Sequence, residues 1–232
     1  ITLGGLFDNV FDRFGNQYSL QDLAIDTTNT SNPGARVQLL CTNAGYFNLY
    51  FEQGSGMEGN SAIEISRRDV ICQLFNDLST FIIPANINVR VNLWIRDINH
   101  YVTNPATSNV LGLATSMYII PEPIYGLTSG IIDGEVWKTI NSGQNSFTSV
   151  ASPFHINENN IFYHGIMAFN FSNPSNNWHL DLTSIPPATD HDFYPVALHE
   201  ATHALGFASL IDFNGLSKLG LNNQYYSRFD TF

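Results

Sequence analysis

Asn88-Val-Arg-Val-Asn-Leu-Trp-Ile95 alternates almost strictly and sets Val89, Val91, Leu93 and Ile95 on one face of an extended segment. It is the clearest strand in the chain. Just upstream, from Ser61 to Phe81, the period changes: Ile63, Val70, Ile71, Leu74, Phe75, Leu78 and Phe81 recur largely every three or four residues. Arg68, Asp69, Asn76 and Asp77 fall mostly on the opposite side, which predicts an amphipathic helix packed on a sheet and ended by Pro84. Working outward, Tyr46-Phe-Asn-Leu-Tyr-Phe51 concentrates aromatic and aliphatic residues before Gly54 to Gly59 break it, so it reads as a second strand. Further strands are expected over 110–120, 134–140 and 161–171. Asp190 to Pro195 then opens a last helix reaching about Phe207. Strand, helix, several strands, helix: the order specifies an α+β fold. Residues 1–45, with short apolar stretches broken by Gly and Asn and ending in Ala35-Arg-Val-Gln-Leu-Leu-Cys41, read as a β-rich arm, leaving 46–232 as the main unit.

Composition limits what such a fold can do. The chain has 232 residues, of which 44% are apolar and only 12% charged, enough to bury a large core under a polar but weakly charged surface. Nine Lys plus Arg against twenty Asp plus Glu leave a net charge of −11, and only Lys138 and Lys218 are lysines. A run of phosphates finds no neutralising surface here, so nucleic acid and anionic membranes are poor partners, and none is expected. No window approaches the roughly 18 to 20 apolar residues of a bilayer span, and no basic-then-apolar segment opens the chain. A start at Ile1 rather than Met fits a processed protein, and secretion or display at the cell surface is the expected location. Two cysteines, Cys41 and Cys72, permit either one disulfide or a pair of free thiols.

Val196-Ala-Leu-His-Glu-Ala-Thr-His-Ala-Leu-Gly206 carries the chemistry. On a helix, His199 and His203 stand one turn apart on one face, where two imidazoles can grip one metal ion. Glu200 points about 100° round the helix from His199, out of the ligand position but within reach of a metal-held water, so it is the expected general base. Zinc suits the arrangement, because it takes nitrogen and oxygen donors tetrahedrally and, with one position left open, lowers the pKa of water toward about 7. With only seven His and seven Glu in the chain, chance spacing is a weak rival. The bland alternative of two core histidines would bury a carboxylate beside them at a cost, while Ala197, Leu198, Ala201, Ala204 and Leu205 already supply the apolar side.

Gly206 lies three residues after the second histidine, where a glycine turns the chain back in a left-handed conformation. His199-Glu-Ala-Thr-His-Ala-Leu-Gly-Phe207 resembles the motif of the metzincin zinc endopeptidases, and its Gly-Phe ending is most similar to the leishmanolysin-like branch. The resemblance implies an amino-terminal metzincin subdomain: a twisted mixed β-sheet with a backing helix and an active-site helix. The order of elements over about 46–195 is similar too, and Val110-Leu-Gly-Leu-Ala114 with Gly130-Ile-Ile-Asp-Gly134 looks like that branch's paired strands. It further implies a secreted zinc metalloendopeptidase acting on protein or peptide substrates.

One position departs from the family pattern. Where a standard metzincin has its third histidine stands Ser209, and no His or Glu follows His203. In the leishmanolysin-like branch that histidine comes several tens of residues later, so the resemblance places the third ligand beyond Phe232, with a carboxy-terminal subdomain and its methionine turn. Asp212 is the weak in-chain candidate and Asp230 a weaker one; a turn aspartate before Phe213-Asn-Gly is the commoner role.

Other groups have ordinary readings beside their functional ones. His191 between Asp190 and Asp192 is either a neighbour of a metal site or part of a helix-entry loop rich in cap formers. His100, His155, His164 and His179 have no partner at ligand spacing. Tyr225 and Tyr226 would steady an oxyanion, as a lateral tyrosine does in related enzymes, or else pack a core. The strand at 161–171 is the expected edge for an extended substrate. The rival to an enzyme is a non-catalytic surface or assembly protein that keeps the fold and self-associates through its Asn-rich, lysine-poor surface. A binding module with a structural zinc would need a closed set of four ligands, which the ligand count does not supply.

Overall fold

The computed structural model of the chain describes residues 10–11, 17–18, 37–41, 43–118, 130–145, 163–212, 214–217 and 225–232. His155, most of the arm, the loops at 27–35 and 156–160, and residues 161–162 of the expected strand lie outside the described residues.

Strands β1 (Val10–Phe11) and β2 (Gln17–Tyr18) form a small antiparallel pair. The main sheet has five strands: β3 (Val37–Leu39), β4 (Phe47–Glu52), β5 (Val91–Arg96), β6 (Gly112–Ser116) and β8 (Gly165–Phe169), in the order β3-β4-β5-β8-β6. Its central pairs, β4 with β5 and β5 with β8, are parallel; both outer pairs are antiparallel. The last strand of the arm is thus built into the sheet. β8 lies between β5 and β6, which overturns 161–171 as the edge for a substrate; among the described residues β6 takes that edge. Being central also explains why β5 is buried on both faces, Trp94 and Arg96 included, although its sequence alternates.

Helix α1 (Ala62–Phe81) follows β4 and returns the chain for the parallel strand β5. Ser61 caps it in a reciprocal box: Ser61 Oγ accepts the Glu64 N–H, and the Glu64 carboxylate accepts the Ser61 N–H. Val70, Ile71, Leu74 and Phe75 form its buried stripe, while Ile63 and Phe81 at its two ends are exposed rather than part of the apolar face. The disulfide Cys41–Cys72 forms and ties the segment after β3 to this helix.

Residues 134–140 do not form a strand. They belong to α2 (Glu135–Ser142), which buries Val136, Thr139 and Ile140, is entered at Gly134 and is closed by Gly143 in the left-handed region. The β-branched and aromatic run favours a strand, but Ser116 Oγ and the Met117 carbonyl take the first free N–H groups of a helix, those of Val136 and Glu135. β7 (Gly130–Ile132) does not pair with β6, as the paired-strand reading required; it runs parallel to β11 (Tyr225–Ser227). A third small pair joins β9 (Trp178–His179) to β10 (His191–Asp192), directly before α3 (Phe193–Ala204).

The three α-helices of the described residues contribute to one core with the sheet, through Leu74, Phe75, Val136, Ile140, Phe193, Ala197, Ala201 and Ala204 together with Leu49, Phe51, Leu93, Ile95, Met167 and Phe169. The molecule is mixed α+β with a small mixed sheet. Among the described residues no helix is long and apolar enough to cross a membrane.

Candidate metal centre

Helix α3 carries the His-Glu-x-x-His motif, and its sequence fixes which way each residue points. Asp192 caps the helix by accepting the Tyr194 N–H at 3.2 Å, and Pro195 sits in the first turn, where its missing N–H costs nothing. Ala197, Ala201 and Ala204 make the buried face, small enough for the helix to lie close on the sheet. A bond of 2.7 Å from Tyr194 Oη to Asp77 Oδ2 holds α3 to α1. Burial first, then that carboxylate, pushes the Tyr194 hydroxyl up to about 12, so it stays a donor.

The opposite face presents the histidines. His199 is exposed and His203 half-buried, and their Nε2 atoms converge to 3.1 Å with the rings nearly perpendicular at 88°. Two nitrogens about 2.1 Å from one zinc and 3.1 Å from each other subtend about 95°, close to a tetrahedral pair. His203 Nδ1 lies 2.9 Å from the Phe207 carbonyl oxygen. A carbonyl only accepts, so Nδ1 carries the proton and Nε2 offers a lone pair. The pair therefore has the spacing of two imidazole donors to a single cation, with the His203 Nε2 lone pair directed at the other ring's Nε2.

Glu200 is buried on the same helix, against strand β6. A Cβ at Gly112 would come within 3.0 Å of Glu200 Cγ and of Phe169 Cδ1, so a larger residue there would press on the Glu200 side chain. Nothing in the spacing of the motif pointed to Gly112.

The other sequence candidates are placed elsewhere. Among the described residues no group of three or more His, Cys, Asp or Glu side chains is positioned to hold a metal ion. Ser209 Oγ accepts the Ile211 N–H in a local turn. Asp212 opens a tight turn in which its N–H meets the Leu216 carbonyl and its carbonyl accepts from Gly215. Asp230 Oδ2 accepts from Leu210 N–H, Ser227 N–H and Ser227 Oγ, tying the last residues down. Tyr225 is buried in β11, and Tyr226 beside it is half-buried. His191 pairs in β10 and packs its ring 5.7 Å from Trp178, while Asp192 serves as the helix cap. His179 Nε2 contacts the Ser184 carbonyl at 3.1 Å.

Two histidines sit in polar clusters that sequence reading missed. His100 Nε2 lies 3.2 Å from Glu52 Oε1, and Glu52 Oε2 meets Arg96 Nε at 3.4 Å and the Asp97 N–H at 2.9 Å. Burial pushes the Glu52 carboxyl up, but the His100 bond, the Arg96 and His100 charges and the Asp97 N–H together hold it below the usual range. Arg96 also stacks 3.9 Å over Trp94 and bonds Tyr101 Oη at 2.9 Å. His164 is wholly buried between strands: Nδ1 accepts the Asn92 N–H at 2.9 Å, and Nε2 faces Asn145 Oδ1 at 3.2 Å. Burial holds its pKa down to about 4. Glu52 and Arg96 each end a strand, the one signal that charges would meet there.

Compared with family models, with curated proteins and with solved structures, the chain matches none.

Proposed function

We propose that the chain is the amino-terminal part of a secreted, zinc-dependent endopeptidase of metzincin type, on the leishmanolysin-like branch. The observation that carries this reading is the convergence of the His199 and His203 Nε2 atoms to 3.1 Å, on a helix whose next residue after His199 is a buried glutamate. The mixed sheet with α1 and α3 on it is compatible with the subdomain the motif implies. The Cys41–Cys72 bond supports an oxidising location, outside the cell or on its surface.

Zinc, when bound, supplies a Lewis acid that acidifies water and polarises a peptide carbonyl. His199 and His203 hold it through Nε2. The resemblance to the leishmanolysin-like branch implies a third donor from polypeptide following Phe232, with Asp212 as the in-chain alternative. Glu200 takes the proton from the attacking water and returns it to the departing amine.

Strand β6 seats the substrate. Leu111 and Met117 bond to Asn170 and His164 across the β8 side, so alternation turns the N–H and C=O groups of Gly112 and Ala114 to the other side, where none of the described strands pairs with β6. An extended peptide added there as a sixth strand runs beside Gly112 and hence beside Glu200.

Glu200→Gln, made in the protein expressed from its complete coding sequence, should abolish proteolysis of an unfolded protein substrate while zinc content is unchanged. Undiminished proteolysis refutes the role of Glu200. Ser209, engaged in its own turn, favours one second reading, a non-catalytic surface or assembly protein on the same fold. Absence of zinc from the purified protein would decide for it.

A further inference from the structure

We infer that the turn at Gly206 and Phe207 is a positioning element for His203: its backbone fixes the tautomer and direction of that ring before any metal arrives. The inference rests on the zinc reading above for its purpose, but on the turn itself for its geometry. Helix α3 ends in a complete Schellman motif, in which the Gly206 N–H meets the His203 carbonyl and the Phe207 N–H meets the Thr202 carbonyl, both at 3.0 Å. Gly206 makes this possible at φ +106°, a conformation L side chains rarely adopt. Space is not what requires glycine, since an added Cβ would come no closer than 3.8 Å to Gly134 N and 4.0 Å to Trp137 Cβ.

What the turn achieves is the direction of the next carbonyl. Phe207 O reaches back to His203 Nδ1 at 2.9 Å, which commits the proton to Nδ1 and turns the Nε2 lone pair toward the point that His199 Nε2 also faces. Metal-holding histidines are commonly oriented by a carboxylate or carbonyl from elsewhere in the fold. Here the helix supplies the group from its own end, four residues on. The Trp137 ring meets Phe207 edge-on, with centroids 6.4 Å apart, and braces the turn against α2.

A backbone device makes a selective prediction: the side chain at 207 is replaceable and the glycine at 206 is not. Long-range nitrogen NMR of metal-free protein should show His203 as the Nδ1–H tautomer. Phe207→Leu should keep that tautomer and bind zinc, in competition with a chelator, within about threefold of wild type. Gly206→Ala should mix the tautomers and weaken zinc about 10- to 100-fold, and Gly206→Asn, which tolerates positive φ better, should fall between. If Gly206→Ala does not fold, the wild-type tautomer and Gly206→Asn decide. An Nε2–H tautomer in wild type overturns the inference. So does Gly206→Asn or Gly206→Ala with wild-type tautomer and wild-type zinc affinity. Wild type that binds no zinc yet shows Nδ1–H defeats the zinc reading and leaves the positioning intact.

Discussion

Lowering the pH from 7 to 5 should destabilise this fold through one residue, His164. Its ring is fully buried, with Nδ1 accepting the Asn92 N–H and Nε2 facing Asn145 Oδ1, and its pKa is held down to about 4. In the unfolded chain the imidazole titrates near 6.5. Between those values the unfolded state holds the extra proton, so stability falls as the pH falls through the window and is fully present above it. The full difference of about 2.5 pKa units is worth about 3 kcal/mol, of which about 2 kcal/mol is lost between pH 7 and pH 5. A proton forced onto Nδ1 would meet the Asn92 N–H head-on, which is the structural source of the penalty. Urea unfolding of wild type and of His164→Asn at the two pH values isolates the effect, because the other titrating groups cancel in the difference. His164→Asn starts less stable but should lose about 2 kcal/mol less than wild type on acidification. Equal losses in the two proteins would refute the assignment.

Removing the Cys41–Cys72 bond, by reduction or by Cys41→Ser with Cys72→Ser, should cost about 3–4 kcal/mol. That follows from freeing a loop with a sequence separation of 31, and is read from guanidinium midpoints with and without reductant. Glu52→Gln should cost about 3 kcal/mol or more, since Arg96 would keep its charge while 6% exposed. Thermal unfolding at pH 7 measures the loss. Because the Glu52 carboxyl titrates below its ordinary range, its contribution is present above that range and should fade as the pH drops through it, so wild type and Glu52→Gln converge in acid.

The sequence made the fold legible where burial follows one period. Val70, Ile71, Leu74 and Phe75 announce α1, and Val91, Leu93 and Ile95 announce β5, because each row packs against a single neighbouring layer. Residues 134–140 misled because Val136, Trp137, Thr139 and Ile140 are strand formers by local preference. The deciding contacts come from Ser116, the last residue of β6, and from Met117 just after it. The position of β8 was hidden for a similar reason: β6, some fifty residues earlier, comes in beside it and, among the described residues, takes the edge. In the candidate site, the i, i+4 histidines were readable from helical geometry alone. The carbonyl behind His203 was not, since it depends on the φ of Gly206, and Gly112 was not, since its closeness to Glu200 is a contact between a strand and a helix far apart in sequence.

The central claim, that His199 and His203 hold one zinc ion between them, is tested most directly by titrating zinc into metal-free wild type, His199→Ala and His203→Ala under identical conditions. Wild type should take up one zinc per chain, and each alanine variant should lose that uptake while unfolding at the wild-type temperature. Zinc uptake that is absent in wild type, or unchanged when both imidazoles are removed in turn, would contradict it.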